Sequence, residues 1–163
     1  MRVYIPATVP LLQSLLDHDQ LMPVNGTAFA LTPALREAYA TGDSEELEYA
    51  AMADAARASI RLLAADPDAP PRRAVISADV EGAQPRPDLD IAVVRVSAPV
   101  PMSAIAAVHV DTSEAEHAVR AATGVIDRAD LGDDDAEFTV GTADDQELAW
   151  YAPQEVTFLL QLM

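Results

Sequence analysis

RVYIPATVPLLQSLLDHDQLMPVNGTAFAL, residues 2–31, reads as strand, helix and strand within thirty residues. Residues 2–5 alternate and stop at Pro6. Thr8 then caps a helix running to about Asp19, with Leu11, Leu12, Leu15 and Leu16 at helical spacing. Residues 23–26 hold Pro, Asn and Gly and mark a turn, after which residues 28–31 return as a strand. If the two strands are parallel, their crossover is right-handed.

The elements that follow have clear punctuation. Thr32-Pro33 opens a helix with a capping hydroxyl and a proline at the first helical position, where the missing N–H costs nothing. Asp43 with Glu46 has the spacing of a capping box, and residues 44–65 contain neither Gly nor Pro, which predicts the longest helix of the chain. Its apolar face holds Tyr49, Met52, Ala56, Ile60 and Leu63.

Prolines between 67 and 71 stop that helix. Residues 73–80 and 89–97 are expected to pair as a hairpin across the turn formers Gly82, Pro85 and Pro87. Residues 105–110 are a further strand, and Asp111 with Glu114 is expected to cap a helix to about Ala122. Residues 127–135 read as an acidic loop, 137–140 and 147–151 as strands, and Pro153 starts a terminal helix. The two ends echo each other as strand, capped helix and strand. The expected fold is α+β: one domain over residues 1–163, a two-layer sandwich with a mixed β-sheet. It combines two β-α-β-like halves, a β-hairpin and a two-helix insertion.

Composition narrows the function. Twenty-seven carboxylates face ten arginines without one lysine, a formal net charge of −17. Such a chain is repelled by phosphate backbones and anionic headgroups, so neither nucleic acid nor a membrane is an expected direct partner. Residues 111–163 hold thirteen acids against two arginines. That asymmetry suits a basic protein partner docking on Asp133, Asp134, Asp135, Glu137, Asp144 and Asp145; it also suits salt adaptation or high-GC codon usage. The absence of cysteine removes disulfides, thiolate zinc sites and cysteine nucleophiles, and fits a cytoplasmic location. Without lysine there is no Schiff base and no P-loop lysine, and no glycine-rich phosphate motif or G-x-S-x-G elbow occurs. No cofactor is expected.

Four residues are the candidates for catalysis. His109 and Asp111 sit two apart at a strand end, where both side chains can face one way, and Arg36 with Glu37 follows a capped helix start. Asp133, Asp134 and Asp135 are hard oxygen donors suited to Ca²⁺ or Mg²⁺, although they lack the alternating spacing that surrounds one ion. Trp150 is expected to anchor the terminal helix to the sheet.

Several segments carry a resemblance. MRVYIP (1–6), ALTPALRE (30–37), EELEY (45–49), SIRLLAAD (59–66), VHVD (108–111), GDDDA (132–136) with FTV (138–140), and ELAW (147–150) with QE (154–155) resemble an uncharacterised actinobacterial protein family of unknown function. The resemblance spans nearly the whole chain. It implies a single domain in a high-GC bacterial cytoplasm and offers no catalytic residue to carry over. Three functions remain open: a binding or regulatory domain for a basic protein, a structural subunit of a homo-oligomer, and a small enzyme acting on a cationic or metal-bound substrate.

Overall fold

The computed structural model describes all residues, Met1–Met163. Strand β1 (Arg2–Ala7) is followed by α1 (Val9–His18), β2 (Gln20–Leu21), β3 (Thr27–Phe29), α2 (Pro33–Ala38) and α3 (Ser44–Ala65). Then come β4 (Ala74–Asp79), β5 (Gln84–Pro85), β6 (Val93–Arg95), β7 (Val100–Pro101) and β8 (Ile105–Val110). The chain closes with α4 (Glu116–Thr123), α5 (Ile126–Asp130), α6 (Asp134–Asp144), β9 (Ala149–Tyr151) and α7 (Val156–Gln161).

The caps read from the sequence form as expected in the first half. The Thr8 hydroxyl oxygen accepts from Leu11 N at 3.4 Å, that of Thr32 from Leu35 N at 3.1 Å, and Asp43 from Glu46 N at 2.9 Å. Seven strands form one sheet in the order β5-β6-β3-β1-β4-β8-β9, while β2 and β7 make a separate small ribbon. The protein is α+β, and every pairing in the sheet is antiparallel rather than mixed.

The reversal has a local cause. Asp19 takes a left-handed φ of 57°, and the chain turns again at residues 23–26 so that β3 enters antiparallel to β1. Gly26 is required there, because its φ is +67° and a Cβ would lie 2.9 Å from the Val96 carbonyl. The C-terminal half behaves alike: β8 and β9 are joined through α4–α6 and also pair antiparallel. The strand-helix-strand echo is real, and both of its returns are antiparallel.

The expected hairpin of residues 73–80 with 89–97 does not form. β4 pairs with β1 and β8, and β6 pairs with β3 and β5. Burial explains the choice: five of the six residues of β4 are buried, which suits a central strand and not the arm of a peripheral hairpin.

Helices cover both faces, giving three layers instead of two. On one face α1 and α7 bring Leu12, Leu15, Val156 and Leu159 onto Val3, Ile5, Ile76 and Val108. On the other, α3 brings Leu47, Ala51 and Ala55 onto Tyr4, Phe29, Val75 and Val93. The second half of α3 also packs Ile60 and Leu63 against α4, α5 and α6. Fully buried Ser59 ties α3 to the sheet, its hydroxyl donating to the Ala7 carbonyl at 2.7 Å and accepting from Ala74 N at 3.1 Å.

The acidic loop and strand expected at 127–140 are helices. Asp133 caps α6 by accepting from Ala136 N at 2.9 Å, and Ala136, Val140 and Ala143 form its buried stripe. No helix is long and apolar enough to cross a membrane.

Candidate functional site

The first half of α3 does not reach β8 and β9, and the strip of sheet beyond it is open. Its floor is built by cross-strand neighbours on one face: Tyr4 beside Ser77, then His109, then Trp150, which lies opposite His109 in the β8–β9 register. Glu45, Glu48, Tyr49 and Met52 of α3 form the wall, and Arg2, paired with Asp79, also lines the groove of about 250 Å³. A cleft of about 490 Å³ continues from it along α3, sharing Tyr49 and Met52 and adding Asp54, Arg57, Arg73, Asp144, Glu147 and Leu148. The two hollows adjoin at Tyr49 and Met52 and together make the trough.

Trp150 is 61% exposed and Tyr49 65% exposed. The tryptophan therefore does not anchor the terminal helix, and Tyr49 leaves the apolar face assigned to it. Both present aromatic surface to water inside the trough. The Tyr4 hydroxyl donates to Glu48 at 3.4 Å, and its pKa is pushed up to about 12 by burial and by the Glu48 charge.

Ser77 Oγ and His109 Nε2 lie 2.9 Å apart. Burial, helped by the nearby Arg2 charge, lowers the His109 pKa, so its ring is neutral at physiological pH. A serine activated by histidine also needs its base oriented by a third group. Asp111 does not serve, because both of its oxygens are held by Arg73 at 2.8 Å, with the Arg73 backbone N–H adding a third bond. Arg73 and Asp111 are 2% and 1% exposed, and Arg73 also donates to the Gln146 carbonyl at 2.7 Å. The pair joins the start of β4 to the end of β8 and fixes the wall of the cleft. Asp111 is thus an ion-pair partner and not the expected helix cap, and it does not meet His109.

The other candidates are dispersed. Arg36 is exposed on α2 and donates to the Gly42 carbonyl and Ser44 Oγ; Glu37 is exposed beside it, and neither lines the trough. Asp133 is the α6 cap, and Asp134 and Asp135 occupy the first turn, where carboxylates favour the helix dipole. Nowhere do three His, Asp or Glu side chains converge as metal ligands. Glu137 forms a forked pair with Arg57 at 2.8 and 2.9 Å, while Asp130 bonds both Arg57 and Arg61. These hydrogen bonds hold the Glu137 and Asp130 carboxyls below their ordinary pKa values. Asp145 is exposed at the C-cap of α6.

Asp144 alone of that acidic set lines the cleft. The residue is exposed, yet partial desolvation of its carboxyl raises its pKa. Asp54, half-buried across the cleft, is raised by desolvation and then by Asp90. Neither carboxylate has a hydrogen-bonded partner of the kind that occupies Asp111, Asp130 and Glu137.

Glu45, Glu48, Tyr4, Ser77 and Asp54 are trough residues that sequence reasoning did not select. One signal was available: Glu45, Glu48, Tyr49 and Met52 repeat at i, i+3, i+4 and i+7, a helical stripe too acidic for a core. No curated protein and no solved structure matches this chain. A family model matches residues 1–160, and the chain belongs to that family, the Family of unknown function (DUF6912).

Proposed function

We propose that the protein is a non-enzymatic binding module whose trough takes cationic side chains of a basic partner protein. One observation carries this reading: two largely exposed aromatic rings, Trp150 and Tyr49, share a groove with the carboxylates Glu45 and Glu48. A guanidinium or ammonium group over an aromatic face gains roughly 0.5–1 kcal/mol when exposed and about 2 when desolvated. Carboxylates on the wall add ion pairing, and the −17 net charge steers such a partner toward the surface. Asp54 and Asp144 supply two more carboxylates without internal partners. Glu137 and Asp133 are occupied by Arg57 and by the α6 cap, so in this reading the docking surface moves from the acidic C-terminal third to the trough. Asp134, Asp135 and Asp145 add to the long-range field. A cysteine-free chain of this kind suits a partner met in the cytoplasm.

The single tryptophan makes the test direct, because Trp150 is the only indole and lies in the groove. Titration with a hexa-arginine peptide is expected to change its fluorescence, to lose strength as salt is raised, and to have no counterpart with hexa-glutamate. Calorimetry of Trp150→Ala and Glu48→Gln is expected to show weakened binding. An unresponsive tryptophan at millimolar peptide, or wild-type affinity in both variants, rejects the reading.

A further inference from the structure

The two ends of the seven-stranded sheet are finished differently. At one end β5 has two residues, one of them Pro85, which has no N–H to offer a neighbouring strand. At the other end β9 pairs with β8 on one side and has no strand on the other. Beyond the ladder, no turn or loop group bonds the backbone of Ala149, Trp150 or Tyr151. The first bond after the strand is Ala152 N donating to the Glu155 side chain at 2.8 Å. Ala149 and Tyr151 are half-buried, Trp150 is exposed, and no strand or loop backbone pairs with this edge.

We propose that the partner segment binds in extended form as an added strand along β9. This rests on the cationic-segment reading above and specifies its geometry. Side chains of an added strand alternate between the faces of the sheet, with same-face neighbours about 7 Å apart. On the trough side they would meet the Trp150 ring and the carboxylates at the cleft mouth, Glu147 and Asp144, which lead into β9. The segment this edge fits therefore carries arginine or lysine at every second position. Its main chain pairs with β9, and its alternate side chains read the acids. Charge decides against a second copy of this chain, because two molecules of −17 repel and the edge is flanked by acids.

Two hexapeptides of sequence Arg-Val-Arg-Val-Arg-Val, one plain and one methylated at every backbone nitrogen, have the same side chains and charge. The plain peptide is expected to bind and to slow amide hydrogen exchange within residues 149–151. The methylated one is expected to bind roughly tenfold or more weaker, from loss of about two backbone hydrogen bonds. Equal binding of the two overturns strand addition and leaves the groove reading intact. Selective binding of the plain peptide without protection at residues 149–151 also overturns it, since pairing then occurs elsewhere. Failure of both peptides to bind removes the cationic-segment reading itself.

Discussion

The two faces of the sheet share the same strands yet differ in chemistry. Under α1 and α7 the face is aliphatic, with Val3, Ile5, Ile76, Val94, Val108 and Val110 all fully buried. On the α3 face, Tyr4, Ser77, His109 and Trp150 line up across four strands, each with a polar tip, running from buried Tyr4 and Ser77 out to exposed Trp150. The first face is closed and can tolerate only hydrocarbon. The second is closed over β3 and open over β8–β9, and its side chains change character at that boundary. Alternation along a strand thus separates the residues that hold the protein together from those available to a ligand.

The harshest test of the contrast lies at the boundary. Asp111→Ala leaves the buried Arg73 guanidinium without its counter-charge and is expected to cost about 3–5 kcal/mol in denaturant unfolding. On the closed face, Ile76→Ala is expected to cost about 2–5 kcal/mol by deleting packed methyl groups. In the open strip, Trp150→Ala is expected to change stability by no more than about 0.5 kcal/mol while weakening peptide binding. If the tryptophan proved as costly to remove as the isoleucine, the open strip would be core and the contrast would disappear.

The smallest effect is expected in the pH dependence and separates two kinds of carboxylate. Asp54 and Asp144 have raised values, so their ionisation costs folded-state stability as pH rises through those values. On acidification they lose charge first, which weakens cation binding without weakening the fold. Asp130 and Glu137 have lowered values. Their contribution is present above the ordinary carboxylate range and is lost only as pH falls through the lowered values. Being exposed pairs, they contribute about 0.2–1 kcal/mol each. Peptide affinity is therefore expected to fall at a higher pH than the unfolding free energy does, as followed by parallel tryptophan-fluorescence and denaturant titrations.

Local pattern made much of the fold legible. β1, α1, α3 and β8 were readable from their periodicity, and Thr8, Thr32 and Asp43 from their position before apolar repeats. Strand partners were not readable, since residues 74–79 look the same whether they join residues 93–95 or, as they do, β1 and β8. The α6 segment reads as strand and turn because Gly141 and a β-branched, aromatic run outweigh the stripe of Ala136, Val140 and Ala143. The site was less legible still. Glu48, Ser77 and Trp150 meet only because α3 ends its contact with the sheet before β8, a tertiary boundary with no local signature.

The position of β1 also governs how the molecule is assembled. Its longest ladder is with β4, and the Arg2–Asp79 pair closes a separation of 77 residues with helices α1, α2 and α3 inside the loop. Such distant pairing slows folding relative to a helical bundle of equal size, toward the millisecond-to-second range. During synthesis β1 has to wait, with its apolar residues unpaired on one side, until the ribosome has released β4. Slowing translation between residues 65 and 80 should therefore prolong the interval in which a nascent chain is most open to chaperone capture.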